Sequence, residues 1–168
     1  MKFVPRVVLA IAPGKRECGV AVFGGIELVD FSIKSFQKRR SDKLLKDEIG
    51  RLMQELVESF KPDVIIVRHI SQYQTTSPTL APIINVINRE AQAKQIPTIG
   101  VSLEQVKSLL GDNEKATQGN IFNSLTAIYP ELRQFSGRPN RWQNDYYNNL
   151  FSAVAVGVVF LKSLGKSN

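Results

Sequence analysis

The sequence predicts an α/β fold in which a mixed five-stranded sheet, three antiparallel strands followed by two parallel ones, is flanked by helices. The chain opens with apolar runs separated by turn residues, which is typical of an antiparallel meander. Later, a short apolar run alternates with stretches of helical periodicity, which is typical of parallel strands joined by helices. With 168 residues and 43% apolar composition, we expect residues 1–168 to form a single domain.

The first three strands follow from the opening of the chain. The run 7–23 is apolar on both sides of a break at Pro13 and Gly14, which predicts a buried first strand and then a second. A glycine pair at 24–25 predicts a two-residue turn into a third strand over 26–33.

Helices and strands alternate in the middle of the chain. Ser41 is expected to cap a helix, because apolar residues recur at helical spacing over 44–57. The run 64–67 is wholly apolar and β-branched, which predicts a parallel strand buried on both faces. A helix over 78–94 and a further strand over 96–101 follow, and the proline in that strand favours an edge position or the start of the strand.

Helices dominate the last third. Ser102 is expected to cap one helix, and a second, short helix is predicted over 121–128. The stretch 132–142 contains glycine and proline and lacks apolar periodicity, which predicts a loop. A final helix is predicted over 144–164, and its small residues favour close packing on the sheet.

The residues at 11–14, Ile-Ala-Pro-Gly, followed by Gly19, resemble the first motif of the RuvC-type Holliday junction resolvases of the ribonuclease H-like superfamily. The order of the predicted elements agrees with the sheet of that family. The resemblance implies a ribonuclease H-like fold, and it implies a homodimer because these resolvases are dimers. The YqgF-type group, which acts in ribosomal RNA maturation, shares the first motif and is a second option.

The acids of that family raise the main question about activity. The resemblance implies magnesium-binding carboxylates after the first strand, after the fourth strand and on the last helix, where this sequence has Ala12, Arg68 and Ser152. Magnesium prefers carboxylate oxygens to a methyl or guanidinium group. We therefore expect a resolvase-like domain with no metal or other cofactor and no metal-dependent nuclease activity. Asp145 is the one candidate catalytic residue that remains near these places.

Two alternatives stay open. The chain is a divergent endonuclease or junction resolvase if Asp145, Glu17 or Asp30 supplies a site for Mg²⁺ or Mn²⁺. It is a protein-interaction scaffold if the former active-site cleft serves a partner. That interpretation predicts an apolar surface over Arg68 and Asp145.

The net charge of +7 favours an anionic partner, and the basic residues cluster along the chain. The stretch 138–142 combines arginines with an indole, which suits phosphate contact and base stacking, although Trp142 could equally pin its loop to the core. We therefore expect DNA or RNA as the partner, branched forms included. The candidate contacts are Lys15, Arg16, Lys38, Arg39, Arg40, Arg68, His69, Arg138, Arg141 and Trp142.

The single histidine and the single cysteine are weaker signals. His69 is either a ligand or base beside a phosphate, or a strand-end residue hydrogen-bonded to a neighbour. Cys18 is expected to be a reduced, half-buried packing residue, and one cysteine allows no internal disulfide, which favours a cytoplasmic location. No apolar run approaches the length of a membrane span, so we expect no membrane partner.

Overall fold

A single five-stranded sheet organises the part of the chain that the computed structural model describes, namely residues 4–14, 16–36, 41–69, 80–110, 118–135 and 141–166. Within these ranges, residues 42, 118–120, 141–146 and 166 are described by their backbone alone. The strands are β1 (Val7–Pro13), β2 (Glu17–Gly24), β3 (Glu27–Ser35), β4 (Val64–His69) and β5 (Thr98–Ser102).

The strand order across the sheet is β3-β2-β1-β4-β5. The first three strands pair antiparallel, and β4 pairs parallel to both β1 and β5. This arrangement confirms the predicted sheet. It also places β5 at an edge of the sheet. The proline that precedes β5 lacks an N–H, which is tolerated at an edge because no further strand needs that donor.

Helices pack on both faces of the sheet. They are α1 (Asp42–Phe60), α2 (Leu80–Ala93), α3 (Leu103–Leu110), α4 (Gln118–Ile128) and α5 (Arg141–Lys166), with a 3₁₀ helix over Pro130–Phe135. One core cluster joins α1 and α2 to alternate strand residues, and the other joins α3, α4 and α5 to the residues between them. The middle residues of the central strands are apolar because both faces of the sheet are covered there.

The two predicted serine caps are confirmed. The Ser41 hydroxyl accepts a hydrogen bond from the Leu44 N–H at 3.3 Å and begins α1. At α3 the Ser102 hydroxyl accepts from the Gln105 N–H at 3.3 Å, while Gln105 Oε1 accepts from the Ser102 N–H at 2.8 Å. This reciprocal pair is a capping box, and it starts α3 directly where β5 ends.

Two sequence-based boundaries were wrong. The turn between β2 and β3 is formed by Gly25 and Ile26, with a positive φ of 63° at Gly25, and β3 continues to Ser35. Backbone pairing with β2 extends the strand beyond its last apolar residue, because ladder hydrogen bonds do not need apolar side chains.

The predicted loop over 132–142 is helical where the structure describes it. Pro130 begins a 3₁₀ helix, and Leu132 within it is fully buried. Helix α5 begins at Arg141, three residues before the predicted start. Proline and the lack of a long apolar period concealed these short turns, although proline is well tolerated at the first position of a helix.

Helix α5 is the central element of one core. Its stretch Tyr147–Gly165 is long and apolar enough to cross a membrane by length and composition, contrary to the expectation that no run approaches that length. More than half of this stretch is buried inside the protein. A long helix that packs along a sheet meets the same criterion, because most of its surface contacts other side chains.

Candidate functional site at the carboxyl end of the sheet

The candidate site lies where the central parallel strands end. The paired register of β1 and β4 runs to Ile11 opposite Val67, so Ala12 and Arg68 are the next residues on the two strands. Ala12 belongs to the core cluster that contains α5. Side chains alternate along a strand, so Arg68 points to the same face as Ile66, which is in that cluster too.

The Arg68 guanidinium ties three elements together. Its Nη1 donates to the Ser152 hydroxyl on α5 at 3.1 Å, and its Nη2 donates to the backbone oxygen of Pro13 on β1 at 3.1 Å. The structure thus brings together the three positions that the resemblance assigned to acids. A guanidinium has five N–H donors in a planar fork, so one side chain can hold a strand end and a helix at once.

Close packing of α5 on the meander holds Ser152 in reach of Arg68. A Cβ atom at Gly19 would collide with the backbone oxygen and carbon of Asn149, and one at Gly14 would lie 2.6 Å from Asn149 Nδ2. The same Nδ2 donates to the Glu17 backbone oxygen at 3.4 Å. The glycines of the opening motif therefore let the helix backbone touch the sheet.

Burial perturbs two ionisable groups at this place. Desolvation lowers the pKa of the half-buried Arg68, although a guanidinium remains charged near neutral pH. Cys18 on β2 lies on the face of the sheet opposite Arg68 and is fully buried, not half-buried as predicted. Burial raises the pKa of its thiol from 9.0 to about 12. The positive charge of Arg68 opposes that rise in the pKa of Cys18.

The buried thiol leads to a prediction about alkaline stability. In the folded state the Cys18 thiol keeps its proton above the ordinary pKa of 9.0, whereas in the unfolded state it loses it. The contribution of this thiol to the free energy of unfolding is therefore present below pH 9.0 and is lost as the pH rises towards about 12. We expect the urea midpoint of the wild-type protein to fall over this window more steeply than that of Cys18→Ala. Equal pH slopes in the two proteins would contradict the assignment.

A cavity of about 420 Å³ adjoins Arg68 on the α5 side. Its polar lining consists of Arg68, Asn148 and Ser152. Its described apolar lining comes from α3, α4 and α5 and consists of Leu103, Val106, Ile121, Phe122, Phe151, Ala155 and Val156. The rings of Phe122 and Phe151 meet edge to face, with centroids 4.8 Å apart. Sequence reasoning missed this cavity, because no spacing within one segment reveals a space formed between four segments.

The residues at this place do not fit a pair of magnesium ions. They offer a methyl group at Ala12, a guanidinium at Arg68 and a hydroxyl at Ser152, and the cation stands between the three elements. Among the described residues, no group of three or more histidine, cysteine, aspartate or glutamate side chains could hold a metal ion. Asp145 lies in the first turns of α5, and its side chain is outside the described part.

Besides Arg68, the predicted nucleic-acid residues fall into three groups. Arg16 is exposed in the turn between β1 and β2. His69 lies on the opposite face of β4 from Arg68, with its ring over Gly100 of β5, where a Cβ would be 2.5 Å from Cδ2. The remaining candidates lie outside the described residues or, at the start of α5, outside the described side chains; they are Lys15, Lys38, Arg39, Arg40, Arg138, Arg141 and Trp142.

Arg16 and the start of α5 lie at the end of the sheet where Arg68 stands. Arg16 lies beside the start of β2, and its backbone oxygen accepts from the Phe36 N–H at 2.9 Å, just after β3 ends. Helix α5 contacts Gly19 through Asn149 and packs later on Phe23, so it runs parallel to β2. Its first residue, Arg141, therefore belongs to the same end as Arg68.

Only the comparison with solved structures finds proteins similar to this chain. No protein-family model matches the sequence, and no curated protein sequence matches it. The structure superposes on RuvC of Thermus thermophilus in complex with a Holliday junction substrate, with a TM-score of 0.73, 16% identity, and coverage of 95% of this chain and 96% of that one. A second Thermus thermophilus RuvC structure gives 0.72 at 17% identity over 96% and 97%.

The yeast mitochondrial Holliday junction resolvase Ydc2 gives a TM-score of 0.63 at 14% identity, with coverage of 95% of this chain and 80% of that one. All three similarities extend over nearly the whole of this chain, although their sequence identities are low. The resemblance drawn from residues 11–14 and Gly19 is thereby confirmed at the level of architecture. The chain has the RuvC-like, ribonuclease H-like fold of the Holliday junction resolvases.

Proposed function

We propose that this chain is a nucleic-acid-binding domain that uses the RuvC-like fold without metal-dependent cleavage. One observation carries the proposal: the Arg68 guanidinium bonds to Pro13 and Ser152 at the junction of β1, β4 and α5. A fixed cation at this place repels divalent metal ions and attracts phosphate oxygens. It therefore favours binding of a phosphate backbone over two-metal hydrolysis of it.

The distribution of basic residues supports the same partner. Arg16, Arg68 and the start of α5 lie at one end of the sheet, and the net charge of the chain is +7. Contacts to phosphates position a protein on nucleic acid and supply most of its salt-dependent affinity. Because a RuvC of this fold was solved with a Holliday junction, a four-way DNA junction is the first ligand to test. RNA, a homodimer and a cytoplasmic location are further parts of the proposal.

The test is a fluorescence anisotropy titration of a four-way junction, a duplex and a single strand, with EDTA present throughout. We expect binding that survives EDTA and weakens as salt rises. The variant Arg16→Ala should lower the salt slope by about one unit, because one phosphate contact is lost. Arg6→Ala is the matched control, since Arg6 is an exposed arginine at the other end of β1 and should leave the slope unchanged.

Two results would contradict this proposal. One is the absence of any binding to all three ligands at low salt. The other is sustained cleavage by the pure protein in Mg²⁺ or Mn²⁺, particularly if Asp145→Asn abolishes it. That result would favour the divergent nuclease instead.

One observation favours a second candidate, a protein-interaction scaffold. The cavity beside Arg68 is lined mostly by apolar side chains, and that alternative predicts an apolar surface over Arg68 and Asp145, whose side chain lies outside the described part. A scaffold would show no salt-dependent affinity for the three nucleic acids and no difference between Arg16→Ala and Arg6→Ala. The same titrations therefore separate the two functions.

A further inference from the structure

We propose that the cavity beside Arg68 receives one unpaired base from a bound nucleic-acid strand. The proposal rests on the nucleic-acid binding put forward above and adds a base-binding site to it. The cavity lies between α3, α4 and α5 on one face of the sheet and meets the proposed phosphate-binding surface at Arg68.

The size and lining of the cavity suit a flat aromatic ligand. Its volume of about 420 Å³ falls in the range of small-molecule pockets, which usually combine an apolar wall with a few polar groups. Phe122 and Phe151 are both half-buried and provide ring surface inside it. Bases of single strands bind proteins largely by stacking on such rings.

The polar groups of the cavity suit the edge of a base. Arg68 borders the cavity with N–H donors, and Ser152 and Asn148 add a hydroxyl and an amide. An arginine donates well to O6 and N7 of guanine, which are both acceptors. We therefore expect guanine to be favoured over thymine, which has no adjacent pair of acceptors like O6 and N7.

The position of the cavity allows a strand to reach it from the basic end of the sheet. Arg68 is near the end of β4, and Leu103 follows directly after β5, which is parallel to β4 and ends at the same edge. The Leu103 side chain is 46% exposed, so the cavity wall continues to the protein surface. A strand held by phosphate contacts at this end could thus turn one base inward without leaving the basic surface.

The experiment measures the binding of two short DNA strands to the wild-type protein by fluorescence anisotropy. One, the intact strand, carries a single guanosine at its centre and abasic sugar–phosphate residues at every other position; the other, the abasic strand, is abasic throughout, so no second base can enter the cavity. We expect the abasic strand to bind about tenfold more weakly, in line with the loss of one base–aromatic stack. The backbone charge of the two strands is equal, so phosphate contacts cannot produce the difference.

Variants then locate the effect. Phe122→Leu keeps an apolar wall but removes a ring, and Leu103→Ala opens the rim; both should reduce the preference for the intact strand. Ile128→Ala is the control, because Ile128 is an aliphatic residue on α4 outside the cavity and is 42% exposed, close to the 46% of Leu103. It should keep the full preference.

Equal affinity for the intact and abasic strands would overturn the base-binding site and leave the proposed function standing. A preference for the intact strand that survives Phe122→Leu and Leu103→Ala would place the base elsewhere and overturn it too. Loss of binding to both strands would instead refute nucleic-acid binding itself, and the base site with it.

Discussion

Replacing Gly19 by alanine is expected to lower the free energy of unfolding by about 3 kcal/mol or more, a loss large enough to unfold many small domains. The added Cβ would collide with the backbone oxygen and carbon of Asn149, and the backbone nitrogen of Leu150 is only 2.7 Å away. Backbone atoms of a helix cannot turn aside as a side-chain end can. Helix α5 must therefore shift off the meander. Urea denaturation followed by circular dichroism measures the change.

Gly50→Ala is the matched control for this substitution. Gly50 lies inside α1, and the nearest atom to a Cβ at this position is Glu90 Oε1 at 3.6 Å. Alanine is a better helix former than glycine, so this variant should gain about 0.5–1 kcal/mol. Similar stabilities of the two variants would show that α5 does not approach the sheet as closely as described.

Arg68→Glu is expected to cost about 3 to 4 kcal/mol of folding stability. The guanidinium donates to the Pro13 carbonyl oxygen, which can only accept a hydrogen bond, and a carboxylate would place a second acceptor against it. The new negative charge would also be half-buried, because position 68 is. The Ser152 hydroxyl on α5 would also lose the hydrogen bond that it accepts from β4.

Two controls separate the role of the guanidinium from the effect of charge alone. Arg68→Lys keeps the positive charge but loses the planar fork, and we expect it to cost about 1 kcal/mol. Arg51→Glu makes the same charge reversal at an exposed position on α1 and should change stability by less than about 0.5 kcal/mol. An Arg68→Glu protein as stable as Arg51→Glu would mean that the bridge between β1, β4 and α5 contributes nothing.

The substitutions at Gly19 and Arg68 both test how α5 is held against the sheet. Gly19 allows the backbone of α5 to touch the meander, and Arg68 then fastens the helix to the ends of β1 and β4. In a metal-dependent nuclease the corresponding place must hold carboxylates and ions. Here the hydrogen bonds of a half-buried guanidinium connect the same three elements directly.

Much of the fold was predictable because its signals are local. The wholly apolar run 64–67 became β4, and Ser41 and Ser102 cap helices as expected. Local signals failed where backbone hydrogen bonding does not depend on apolar side chains. The extension of β3 to Ser35 and the 3₁₀ helix at Pro130–Phe135 are of this kind.

The site was predictable only in part. The resemblance to the resolvases assigned Ala12, Arg68 and Ser152 to the positions of the family's acids, and the structure brings these three residues together. We grouped His69 with Arg68 from the sequence, but the structure places the two side chains on opposite faces of β4. The two-residue period of a strand could have shown this, because neighbouring residues point to opposite faces. All the nucleic-acid contacts stay predictions, and the candidates at Lys15, 38–40 and Arg138 also lie outside the described residues.

The sequence alone determined the order of the strands and helices along the chain and the serine caps of two helices. It also determined which chemical groups stand at the strand ends. All of these follow from hydrogen bonding and apolar periodicity within short segments. Tertiary structure alone decided what Arg68 does and where a cavity forms. The partners of that guanidinium, Pro13 and Ser152, are 55 and 84 residues away along the chain. Such contacts are set by how whole elements pack against one another, and no pattern within a single segment contains that information.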